Sequence, residues 1–109
     1  MVTFFYSAVF LKNIKKLAKK YKSLADDLKE LQTRLSENPY AGVDLGNGVR
    51  KVRMSIKSKG KGKSGGARVI YLNILVADDD VNVTMLTVYD KSEQESISDK
   101  EINMLISSL

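Results

Sequence analysis

Neither cysteine nor histidine occurs in the 109 residues of this chain. Lack of Cys rules out disulfides and thiolate metal sites and fits a reducing compartment. Lack of His removes the commonest general base and the commonest transition-metal ligand, so catalysis would fall to Lys, Arg, Tyr, Ser or carboxylates. Tryptophan is also absent, and proline occurs once. No apolar run approaches the ~18 residues that a membrane span needs. The mildly apolar stretch from Met1 to Phe10 meets Lys12 too early for the core of a signal peptide. The expected location is the cytoplasm, with no membrane partner.

A further absence is local. No Asp or Glu lies between Asp44 and Asp78, and that stretch holds eight cations: Arg50, Lys51, Arg53, Lys57, Lys59, Lys61, Lys63 and Arg68. The whole chain has Lys+Arg 18 against Asp+Glu 13, net +5, whereas outside the stretch ten cations meet thirteen acids. The basicity therefore belongs to one segment and predicts a polyanionic partner such as nucleic acid. Four of the seven glycines, Gly60, Gly62, Gly65 and Gly66, fall in the same segment. With 43% hydrophobic and 28% charged residues, the composition is that of one globular domain over residues 1–109.

Val2 to Tyr6 reads as an opening strand. Phe10, Ile14, Leu17 and Tyr21 then recur at helical spacing behind a cap at Ser7, with lysines on the other faces. Ser23 with Asp26 resembles a capping box ahead of Leu24, Leu28, Leu31 and Leu35, and Asn38-Pro39 ends that helix. After a loop with Gly42, Gly46 and Gly48, alternation turns Val52, Met54 and Ile56 to one side and Lys51, Arg53 and Lys57 to the other. The run from Ser58 to Gly66 reads as the tip of a long hairpin. Ala67 to Val76 and Val81 to Tyr89 form two more strands around an Asp78–Asp80 turn, and Ser98 with Glu101 caps a last helix. The order β, α, α, β, β, β, α predicts an α+β domain: a small antiparallel or mixed sheet with an N-terminal helical hairpin and a C-terminal helix, the helices on one face.

Two motifs fail on inspection. Gly62-Lys63-Ser64 imitates the end of a P-loop, but Lys57 stands where the first glycine belongs and a strand follows in place of a helix. Asp78, Asp79 and Asp80, consecutive on a tight turn, point in different directions, which does not suit a metal pair. No metal and no cofactor are expected. The basic hairpin remains. Like charges held on one strand face gain nothing structural, so Lys51, Arg53 and Arg68 are candidate catalytic residues, and Lys57, Lys59, Lys61 and Lys63 candidate contacts to a nucleic-acid phosphate backbone. Tyr89 and Lys91, at the end of the last strand, are placed to stack on a base and reach its phosphate.

Residues 60–71 (GKGKSGGARVIY) and 86–93 (LTVYDKSE) together resemble the RelE and HigB group of bacterial toxins, the HigB-like branch most closely. The similarity extends to Asn38-Pro39 and to the strand from Arg50 to Arg53. It implies a toxin that enters the ribosomal A site and cleaves mRNA, held inactive by a cognate antitoxin. Carried over by position, Lys51, Arg53, Arg68 and Lys91 match the family's basic site residues. Some members carry a tyrosine where this chain has Ile97, which leaves Tyr89 or a lysine as the base. The chemistry so permitted is metal-free attack of a ribose 2′-hydroxyl on the adjacent phosphate. Neighbouring cations favour a neutral Lys51 as base, with Arg68 or Arg53 stabilising the phosphorane. Two other readings stand beside it: a ParE-like toxin that inhibits DNA gyrase, and a simple nucleic-acid-binding module.

Overall fold

The computed structural model describes residues 1–60 and 65–109. The β-branched and aromatic start forms β1 (Val2–Tyr6), followed by α1 (Ala8–Lys20) and α2 (Leu24–Glu37). A short β2 (Val43–Gly46) pairs with β3 (Val49–Met54), and a 3-10 turn covers Lys57–Lys59. The long hairpin of β4 (Ala67–Ala77) and β5 (Asp80–Asp90) precedes α3 (Asp99–Ser107). The sheet order is β1-β5-β4-β3-β2, with β1 parallel to β5 and the other pairs antiparallel. The domain is thus α+β, as the order of elements predicts. Among the described residues no helix is long and apolar enough to cross a membrane.

The helices do not share one face. Val52, Met54, Val69, Tyr71, Val83, Met85 and Val88 are buried with Phe10, Leu17, Leu24, Leu31 and Leu35 of the helical hairpin. Residues of the opposite phase, Val49, Ile70, Leu86 and Tyr89, cluster with Ile102 of α3. Because successive strand residues point to opposite sides, α3 lies across the sheet from α1 and α2. The expectation of helices on one face is corrected accordingly. A bulge makes this possible: Ile70 pairs with Thr87 but Tyr71 pairs with Met85, so Leu86 is an extra residue in β5. It moves the hairpin-facing phase from odd to even numbers between Met85 and Val88.

Capping was legible only in part. Ser7 Oγ accepts from the Phe10 amide at 3.0 Å and donates to the Leu86 carbonyl at 2.7 Å. Ser98 Oγ accepts from the Glu101 amide. Ser23, however, has helical backbone angles and makes no capping bond; its hydroxyl donates to Asp27 Oδ2 at 2.7 Å and accepts from the Ser58 amide. β2 falls where a glycine loop was expected. Its strand character is brief, and Gly42 is fixed with φ +82° against the Lys51 carbonyl, where a Cβ would collide.

Ser7→Ala removes a helix cap and leaves the Leu86 carbonyl at the bulge without that donor. A loss of about 1–2 kcal/mol is expected, read as a lower urea midpoint at unchanged slope.

Candidate functional site

Pairing stops early at the edge of the sheet. β2 begins at Val43 opposite Lys51, so past Lys51 the edge of β3 has no strand partner among the described residues. Arg34, from the last turn of α2, fills the gap and donates Nη1 to the Arg53 carbonyl at 3.2 Å. There the surface opens into a cleft of about 510 Å³ lined by Arg34, Gly42, Val43, Lys51, Val52, Arg53, Arg68 and Lys91. The expected quartet of Lys51, Arg53, Arg68 and Lys91 is thus brought together. Among the described lining residues five are cations and none is acidic, an arrangement that concentrates positive potential on whatever enters.

The register explains the placement. Arg53 pairs with Arg68, and Arg68 pairs with Tyr89, so the three lie in one row across β3, β4 and β5. Two arginines directly opposite one another repel. Arg68 is only 8% exposed and donates Nη1 to the Ala67 carbonyl at 3.2 Å, whereas Arg53 is exposed. Arg68 is therefore a recessed group. Lys91 is fixed through its backbone amide to the Gly66 carbonyl at 3.1 Å, and its ammonium donates to the Glu95 carbonyl.

A model of the RelE toxin of the RelE/RelB toxin-antitoxin system matches residues 5–107. The chain belongs to the RelE toxin family. Among solved structures it is similar to the E. coli toxin RelE, determined as a double arginine-to-alanine mutant in the free state. That likeness has a TM-score of 0.54 at 18% identity and covers 96% of this chain and 90% of the other. The protein is thus a toxin of a toxin-antitoxin system, and its family implies a cognate antitoxin.

Several candidate residues of the toxin lie away from the cleft. Lys57 leaves the cationic strand face because β3 ends at Met54; its ammonium meets Glu30 of α2 at 2.9 Å, which raises its pKa. Lys59 is not a solvated loop lysine either. Its ammonium lies 2.7 Å from Asp90 Oδ1, with side-chain exposures of 8% and 0%. Asp90 also accepts from the Tyr21 hydroxyl, the Ser92 amide and the Ser92 hydroxyl. Burial alone would raise this carboxyl, but the hydrogen bonds from Lys59, Tyr21 and Ser92 more than reverse that and hold it well below the usual carboxylate range. Its contribution to stability is present above the unfolded-state value of ~4 and is lost as pH falls through the lower folded-state value. Lys61 and Lys63 fall outside the described residues. The Asp78–Asp80 turn is occupied structurally, Asp80 pairing with the N-terminal ammonium at 3.1 Å.

Arg34 is the cleft residue that sequence reading missed. It is the only arginine before residue 50, where every other cation is lysine, and that was its one signal. Tyr89 is in the opposite position. It is 7% exposed within the α3 cluster, and its hydroxyl is buried with no hydrogen-bond partner among the described residues. Burial pushes its pKa up, against the pull of Arg68. A covered ring cannot stack on a base, and a phenol disfavoured as phenolate is a poor proton acceptor. Tyr89→Phe should accordingly leave toxin activity within about twofold and raise stability by up to about 1 kcal/mol. Growth arrest on induction, with thermal melting of the purified chain, checks both; a hundredfold activity loss in a folded protein would return Tyr89 to the site.

Proposed function

We propose that the toxin is a ribosome-dependent mRNA endonuclease of HigB-like type, cutting by attack of a ribose 2′-hydroxyl on the adjacent phosphorus. The observation that carries this reading is the cleft itself: five cations from α2, β3, β4 and the end of β5 converge where no carboxylate lines the wall. Lys51 takes the 2′-hydroxyl proton as the new P–O2′ bond forms. The P–O5′ bond breaks, and Lys91 supplies the proton to the departing 5′-oxygen. Arg68 and Arg53, side by side across two strands, stabilise charge on the phosphorane, while Arg34 holds the neighbouring phosphate. The products are a 2′,3′-cyclic phosphate and a 5′-hydroxyl.

Such a site lacks an efficient acid–base pair at neutral pH. It therefore depends on in-line geometry imposed from outside, and a translating ribosome with mRNA in its A site supplies that. A gyrase-docking role would not require a register-locked arginine pair with one member, Arg68, recessed. The cognate antitoxin, in this reading, inactivates the toxin by covering the cleft with an acidic segment that folds on binding.

Two measurements test these statements. Messenger RNA with one 2′-methoxy nucleotide at the cut position should resist cleavage on ribosomes, while Arg68→Ala or the exposed Arg53→Ala should lower single-turnover cleavage of ordinary message by about a hundredfold. Cleavage of the modified message at the same place would overturn the mechanism. Antitoxin affinity should fall steeply between about 50 and 500 mM salt; an indifferent affinity would mean that the antitoxin covers an apolar surface.

A further inference from the structure

We propose that Asp90 and Lys59 are positioning residues of the toxin: their buried ion pair ties the β3–β4 connection to the end of β5 and so sets Arg68 and Lys91 in the cleft. This rests on the nuclease reading and adds to it two residues that do not themselves line the cleft.

Asp90 lies opposite Ala67, one step along β4 from Arg68, and immediately precedes Lys91. Lys59 stands in the 3-10 turn at the entry of the connection. At the exit, the Gly66 carbonyl accepts from the Lys91 amide, and Gly66 is pressed so closely on Met54 that a Cβ would run into the Met54 carbonyl. The chain on both sides of the connection is thereby fastened to the strand ends that carry the two cations. Stability alone does not account for the pair. A salt bridge withdrawn from water is a weak source of stability, and apolar residues of similar volume commonly do as well. Its effect is instead directional, because four donors converge on one carboxylate and fix its position.

The test compares Asp90→Asn, Lys59→Met and the double variant, each as the full chain purified away from antitoxin. Melting temperature is followed together with kcat and KM for mRNA on translating ribosomes. Each single variant leaves one partner buried without the other and should melt lower; the double removes both charges and should regain most of the melting temperature. If the pair positions the cleft, kcat falls about tenfold or more in all three with KM within twofold, and the double does not regain it. Recovery of kcat together with stability in the double, or a kcat within twofold of the parent in folded single variants, overturns the proposal. Should the parent chain fail to cleave, the nuclease reading falls on that arm. Positioning is then read from the Arg68 Nε–Hε resonance, whose shift in the folded double variant supports the proposal and whose constancy refutes it.

Discussion

The extra residue at Leu86 is the constraint on which the rest of the structure depends. A strand has a side-chain period of two, so a single inserted residue exchanges its faces from that point on. Before the bulge, Val81, Val83 and Met85 point to the helical hairpin; after it, Val88 does so and Tyr89 turns to α3. Asp90 is thereby delivered to the side of Tyr21 and Lys59, and Arg68 shares a row with Arg53 and Tyr89. An unbulged β5 would place the Asp90 carboxylate on the α3 side, in the phase of the arginines. The bulge also lies where α1 begins, since Ser7 hydrogen-bonds the Leu86 carbonyl.

From that register the cleft follows as a set of terminations. Pairing with β2 gives out past Lys51, where β2 begins; β3 stops at Met54, and α2 ends just beyond Arg34. Each end leaves a cation where the regular structure gives out. The loop between α2 and β2 is held in place by Arg50, whose guanidinium donates to the Tyr40, Ala41 and Gly42 carbonyls, and by the Tyr71 hydroxyl, which donates to the Pro39 carbonyl at 2.8 Å. Arg50 belongs to the basic segment by sequence but serves as scaffold. Charge density along a chain does not distinguish a cation that braces a loop from one that lines a cleft.

That distinction marks the limit of what the sequence made legible. Local signals were read well: the helical stripes, the caps at Ser7 and Ser98, and the alternation that buries Val52, Met54 and Ile56 all depend on neighbours within a few residues. The cleft quartet was also readable, because strand alternation put Lys51 and Arg53 on one face and the family resemblance added Arg68 and Lys91 to them. What escaped was nonlocal. Lys59 finds its acid 31 residues away, and Arg34 looked like an ordinary last-turn cation. The facing of Tyr89 depends on a bulge with no glycine or proline to announce it. Ser23 failed as a cap because Asp27 and Ser58 compete for its hydroxyl.

The opposed arginines have a thermodynamic consequence. Arg53 and Arg68 face each other across β3 and β4, and an anion seated beside them would offset their mutual repulsion. A ligand that binds only the folded chain adds RT ln(1 + [L]/Kd), about 2.7 kcal/mol at a hundredfold excess over Kd. In the nuclease reading proposed above, message or a negatively charged partner seated on that surface would raise the stability of the folded toxin.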